Sequence, residues 1–194
     1  MNPAVSNLVI SLGAMQLAHI PSQTVARKIP FDDPQVLTYV RIAYAVTQAI
    51  TLAVYFYTAY KIRSKNDQTV LKYVEPANPM SPNSGGLMTT TYRDYDLSEV
   101  SKLLKGVYTG IGMMAFLHLY MKYTQPLFVQ ALMGLKNLYE AKPVAIHLLG
   151  QKAEGDLKRP FKTAPSLFGG AGNPATDKAA IDEAERKVGG VKEE

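Results

Sequence analysis

Between Arg41 and Lys61 the chain runs for 19 residues, Ile42 to Tyr60, without a charged side chain. At 1.5 Å per helical residue that length suffices to cross the hydrocarbon core of a bilayer. Tyr55, Tyr57 and Tyr60 gather at its far end, where an aromatic belt meets the headgroups. Lys61, Arg63 and Lys65 follow at once, a positive-inside signal that places this end in the cytosol. Asp32 and Asp33 before Pro34 offer a cap for the start of the helix.

Two further apolar stretches are shorter. Residues 1–20 carry no charged side chain, lack the basic start of a cleaved signal peptide, and read as a short membrane helix over 4–20. Residues 107–121 hold one side chain that can charge near neutral pH, His118, between Lys105 and Lys122. Fifteen helical residues rise about 22 Å, against about 30 Å of hydrocarbon. The apolar residues are thus segregated, which a soluble globular chain does not require. The expected fold is all-α: an integral membrane protein with about three transmembrane helices (4–20, 36–60 and 106–123), an amphipathic interfacial helix and a flexible tail.

The amphipathic helix is expected at 126–140, where Gln130, Gly134 and Asn137 recur at i, i+4 and i+7 opposite Leu127, Leu132, Leu135 and Leu138. Residues 61–105 read as a polar cytosolic loop with seven Lys/Arg and five Asp/Glu, and Asp96 with Glu99 resembles a capping box restarting a helix. Residues 1–150 form the expected membrane domain. Residues 151–194 form a polar, partly disordered tail with a short charged helix over 176–188. A fourth pass or a re-entrant hairpin through 126–150 is compatible with the pattern, and the side of the membrane that holds the tail stays open.

Within the long span Arg41, Tyr44, Gln48, Thr51, Tyr55 and Thr58 are spaced 3, 4, 3, 4 and 3 apart. They form one polar seam on an otherwise apolar helix. Lys105, Tyr108, Gly112, Ala115, His118 and Lys122 follow a similar rhythm in the short span. Hydrocarbon does not solvate such groups, so they turn toward a partner or toward water. One reading is interhelical hydrogen bonding, worth about 0.6 kcal/mol per contact. The other is a groove open to water, lined by Arg41, Tyr44, Gln48, Thr51, Tyr55, Tyr108, His118 and Lys122, in a bilayer thinned by short spans. Lys61, Arg63, Lys65, Lys158 and Arg159 are candidate contacts for lipid phosphate or a basic-patch partner.

The chain has no cysteine, three widely separated histidines, and no phosphate-binding loop or nucleophile motif. No enzyme activity, cofactor or metal is expected. The net charge of +5 suits anionic lipid or RNA, but no DNA-reading motif is present.

The stretches MNPAVSN (1–7), SKND (64–67), KYVEPANPMS (72–81), TTTYRDYDLSE (89–99), YTGIGMMAFLHLYMKYTQPLF (108–128), GDLKRPFKTAPSLFGG (155–170) and DEAER (182–186) carry a resemblance. Together they resemble the fungal endoplasmic-reticulum family named for inorganic phosphate transport. That family is also the third, membrane-embedded component of the SRP-independent (SND) targeting route. The resemblance covers almost the whole chain. It implies a multi-pass protein of the endoplasmic-reticulum membrane that assists membrane-protein insertion beside the Sec translocon. It also implies other SND components, ribosomes, client membrane proteins and ER lipids as partners. A scaffold that recruits ribosome or translocon, and a phosphate transporter, are the alternative functions.

Overall fold

A computed structural model describes residues 32–75, 86–162 and 173–190, except for the side chains of 187–190. The described residues fall into two compact units. One takes its residues from Met1–Thr58 and Ser101–Ala145, the other from Ala59–Val100 and Ile146–Glu194. The expected span at 4–20 lies outside the described residues.

Helix α1, Pro34–Lys65, covers the long expected span. Asp33 caps it as its position suggests: the Gln35 N–H donates to Asp33 Oδ1 (2.8 Å) and the Leu37 N–H to the Asp33 carbonyl (3.0 Å). Its threonines stay compatible with an apolar setting by donating their hydroxyls backward, Thr51 to the Thr47 carbonyl (2.8 Å) and Thr58 to that of Val54 (2.7 Å). Ile42, Val46, Ile50 and Phe56 remain exposed, as a lipid-facing surface would be. Among the described residues α1 is the one helix long and apolar enough to cross a membrane.

The shorter apolar stretch is built differently from the expected span at 106–123. Helix α2, Tyr92–Ala115, begins four residues before Asp96, and the Asp94 N–H donates to the hydroxyl of Thr91 (3.2 Å), the true cap. Its first turns are therefore polar. The helix widens into a π-helical turn at Phe116–Tyr120, and the chain breaks before the next helix at Lys122, whose φ is 61°. Helix α3, Gln125–Glu140, matches the expected amphipathic helix, and α4, Lys142–His147, follows. In the first unit Val40 of α1, Met114 of α2 and Leu127 of α3 form an apolar cluster, flanked by Val36, Tyr44 and Phe128.

The second unit corrects the all-α expectation. Strands β1, Val70–Val74, and β2, Leu87–Thr91, pair antiparallel from Val70↔Thr91 to Val74↔Leu87. Alternation in VLKYV buries Leu71 and Tyr73 on one side. Described residues after 150 pack into this unit. Phe161 and Tyr95 join Leu71 and Tyr73 in one core, with the Phe161 N–H donating to the Tyr95 hydroxyl (2.7 Å). Ala175 exchanges backbone hydrogen bonds with Val74 (2.9 and 3.0 Å). Helix α5, Lys178–Gly190, is capped by Asp177 and tied to β1 through the Lys72–Glu185 ion pair (3.0 Å). Burial of Tyr95 among these rings raises its phenol pKa.

Candidate functional site

The polar seam of α1 faces helices of its own unit. Gln48, Thr51 and Tyr55 meet Lys102, Leu103, Gly106 and Val107 of α2 and Gln130, Met133, Gly134 and Asn137 of α3. These residues line a cleft of about 340 Å³. The 3, 4 spacing along α1 puts Gln48, Thr51 and Tyr55 on one stripe. The i, i+4, i+7 spacing of Gln130, Gly134 and Asn137 does the same on α3. The hydrophilic face of α3 thus turns to the polar stripe of α1.

Glycines set how closely the helices approach. A side chain at Gly134 would touch Thr47 Cγ2 at 3.4 Å. A Cβ at Gly110 would lie 2.9 Å from Gln130 Nε2, so the Gln130 amide occupies the space that Gly110 leaves. Gln130 Oε1 is buried and has no hydrogen-bond partner among the described residues. The Gln130 side chain therefore leaves an amide oxygen with unused hydrogen-bonding capacity among the cleft residues. Lys102 is the one formally charged residue that lines it.

The seam is not continuous. Toward the start of α1 the Val40–Met114–Leu127 cluster intervenes, and the Tyr44 hydroxyl is buried without a partner among the described residues. Beyond it lies a separate knot. Arg41 Nε donates to His118 Nε2 (2.9 Å), and the other ring nitrogen, Nδ1, lies 3.0 Å from the Tyr123 carbonyl. Donation from Arg41 makes Nε2 the acceptor, so Nδ1 carries the proton given to Tyr123. Of the eight residues expected in a groove, Gln48, Thr51 and Tyr55 line the cleft and Arg41 and His118 hold each other. Tyr108 is 52% exposed and Lys122 exposed at the chain break, and neither lines the cleft.

Among the basic candidates, Lys61, Arg63, Lys65 and Lys158 are exposed. Arg159 differs. Its Nε donates to Asp96 Oδ1 (2.7 Å) and its Nη2 to Oδ2 (2.5 Å), while the guanidinium stacks over the Tyr92 ring at 4.9 Å. His147 Nε2 reaches Asp96 Oδ2 at 2.6 Å. Arg159 is thus a buried ion-pair partner rather than a contact for lipid. Burial alone would raise the Asp96 pKa; hydrogen bonds from His147 and Arg159, with the Arg159 charge, outweigh it and hold the carboxyl below its ordinary range. Among the described residues no group of three potential ligands could hold a metal ion.

A family model described as phosphate transport (Pho88) matches residues 1–191, nearly the whole chain. The chain belongs to the Pho88 family. It is 50% identical over 188 residues to SRP-independent targeting protein 3 of Saccharomyces cerevisiae, covering 96% of this chain and 95% of the relative. It is 38% identical over 185 residues to the SRP-independent targeting protein 3 homolog of Schizosaccharomyces pombe, covering 95% and 91%. No solved structure matches.

Proposed function

We infer that this Pho88-family chain is an endoplasmic-reticulum membrane protein of SRP-independent targeting, working beside the Sec translocon to help membrane proteins insert. The names and near full-length identity of its relatives support the targeting role. The observation that carries the mechanism is the cleft: amides and hydroxyls of α1 and α3 meet, with α2 closing the cleft, beside a helix whose other faces are apolar. A volume of about 340 Å³ has room for roughly ten waters. Solvent there lowers the barrier for a polar flank that must cross hydrocarbon. The apolar stretch of α2 is shorter than a bilayer and thins the lipid beside it. The protein acts by solvation, with no bond made or broken. The family description, phosphate transport, then reflects delivery of a transporter, since a cleft with one ammonium is poorly equipped to carry an oxyanion.

The test replaces Gln48→Leu, Thr51→Val and Gln130→Leu together in cells that depend on this chain. Insertion of reporter membrane proteins should fall about tenfold while the level of the variant holds, because the apolar cleft no longer hydrates a polar flank. Unchanged insertion would refute the cleft mechanism. A second reading, a scaffold that recruits ribosome or translocon, is favoured by the exposed Arg63 and Lys65 at the end of α1. Loss of function on reversing those two charges, with the cleft variant active, would replace the first reading by this one.

A further inference from the structure

Away from the cleft, the bond between Arg41 and His118 leaves most of the guanidinium unused. Arg41 is exposed at the last charged position before the apolar stretch 42–60, and its side chain donates through Nε to His118 Nε2 (2.9 Å). Neither Nη atom has a partner among the described residues. That pair of nitrogens can grip an oxyanion with two parallel N–H groups. The His118 ring leads on to the Tyr123 carbonyl (3.0 Å), so Lys122, the preceding residue, stands at the same end of the unit. Lys122 is exposed, with φ 61°, in the break between the π-helical turn and α3. Among the described residues no ion pair holds either cation. The sequence of this unit, 1–58 and 101–145, carries three carboxylate side chains: Asp32, Asp33 and Glu140. Glu140 pairs with Lys136 at 3.4 Å, toward the far end of α3. Asp33 Oδ1 is taken up by the cap of α1, eight residues before Arg41 and about 12 Å from it along the helix. Tyr39, Tyr120 and Tyr123, each within two residues of one of the cations in sequence, are exposed.

We propose that Arg41 and Lys122 bind the phosphate of a phospholipid headgroup in the leaflet that meets the start of α1, with His118 positioning Arg41. The proposal rests on the reading of α1 as a membrane helix, not on the cleft. Exposed cations beside exposed tyrosines at the end of an apolar helix have the composition of a membrane interface. Arg41 supplies the planar fork and Lys122 a mobile point charge, two complementary ways to meet phosphate oxygens. His118 holds Nε, so less side-chain freedom is lost when the Nη pair closes on its ligand. A phosphate ion free in water offers the same oxygens. The lipid is favoured because Ile42, Phe116 and Leu119, next to these residues on α1 and α2, expose apolar surface against which an acyl chain packs. A free ion gains nothing from that surface. A headgroup held here ties the end of the unit where the chain breaks to one leaflet and fixes the depth of α1.

The experiment follows thermal unfolding of the full chain in a neutral detergent. The chain is titrated with dihexanoyl phosphatidylserine, with dihexanoylglycerol, which lacks the phosphate, or with inorganic phosphate at fixed ionic strength. Phosphatidylserine should raise the Tm, and the other two should not. Arg41→Gln combined with Lys122→Gln should weaken the lipid about tenfold or more, with the Tm of the lipid-free protein unchanged because both side chains are exposed. Arg41→Lys should weaken it nearly as much as Arg41→Gln, since an ammonium lacks the paired donors. His118→Leu should weaken it a few-fold. Lys105→Gln, the same loss of charge elsewhere on α2, should leave it as it is. Lipid binding intact in the double variant, or weakened equally by Lys105→Gln, would overturn the site. Stabilisation by inorganic phosphate that the double variant abolishes would overturn the lipid as the ligand. Alkaline extraction of membranes tests the underlying reading separately. The double variant should stay in the pellet with the unaltered chain, and release of the unaltered chain would take α1 out of the bilayer.

Discussion

Two polar constellations among the described residues, one from each unit, are built on opposite principles. In the second unit Asp96 is almost fully enclosed, and both its oxygens are engaged, by Arg159 twice and by His147 once. In the first unit Thr51 and Tyr55 are buried while the other cleft residues are partly or fully exposed, and Gln130 Oε1 in the cleft and the Tyr44 hydroxyl outside it lack partners among the described residues. A closed network fixes one arrangement of the backbone, whereas unpaired buried groups are expensive to keep. On the proposed reading the Gln130 amide oxygen, kept at that expense in the cleft, awaits a polar group of a client. On that reading the first arrangement serves stability and the second serves insertion.

The largest effect should come from opening the closed network. Asp96→Ala leaves the Arg159 guanidinium buried without its carboxylate, which destabilises by about 3–5 kcal/mol. Thermal unfolding in detergent, and tryptic cleavage after Lys158 and Arg159, should show a loosened second unit. Adding Arg159→Met should recover much of the loss, because an apolar replacement removes the unpaired charge. The pH dependence follows from the lowered Asp96 pKa. Its contribution is full above the ordinary carboxylate value of about 3.9 and disappears as pH falls through the lower native value, where the carboxyl takes up a proton. Stability against acid should therefore fall off at a higher pH in Arg159→Met than in the unaltered chain. If Asp96→Ala proves as stable as the unaltered chain, the network is not what holds residues 146–162.

Gly110→Ala sharpens the comparison from the other side. The added Cβ would displace the flexible end of Gln130, and alanine gains up to about 1 kcal/mol over glycine within a helix. Stability should hold or rise slightly, while insertion of reporters falls a few-fold, less than in the triple variant, because a single amide has been moved. A destabilised protein with normal insertion would mean that Gly110 serves packing and that the cleft plays no part.

How much of this was legible in the chain depends on the range of the interaction. Asp33 as a cap, α1 as a long apolar helix, α3 as a helix and the short helix after 176 are local patterns, each legible to within a few residues. The stripe Gln48, Thr51, Tyr55 and the stripe Gln130, Gly134, Asn137 were also visible, each on its own helix. Their meeting was not, because spacing along a helix gives a face but not the partner it turns to. Lys102 follows the Asp96–Glu99 pattern that restarts a helix, and nothing local marks which neighbours it joins. The β1–β2 hairpin was masked by the Pro- and Gly-rich sequence that follows β1, which reads as a loop. Asp96 and Arg159 are 63 residues apart, and the Arg159 side chain in QKAEGDLKRP looks like any other tail cation until the fold removes it from water.

The smallest effect is expected at the knot that the seam had joined to the groove. His118→Leu deprives Arg41 Nε of its acceptor and the Tyr123 carbonyl of its donor. Two hydrogen bonds at a partly exposed site are worth about 1 kcal/mol together once water competes for the freed groups. Amide exchange should quicken in the break at 121–124, which the Tyr123 contact helps to hold. Insertion should stay within the range of the unaltered chain, because Val40, Met114 and Leu127 separate this knot from Gln48, Thr51 and Tyr55. A loss as large as that of the triple variant would mean the apolar cluster is no barrier and that water reaches along the whole stripe from Tyr55 to Arg41. The functional path would then be a channel through the unit rather than a cleft at one end of it, and His118 would belong to it.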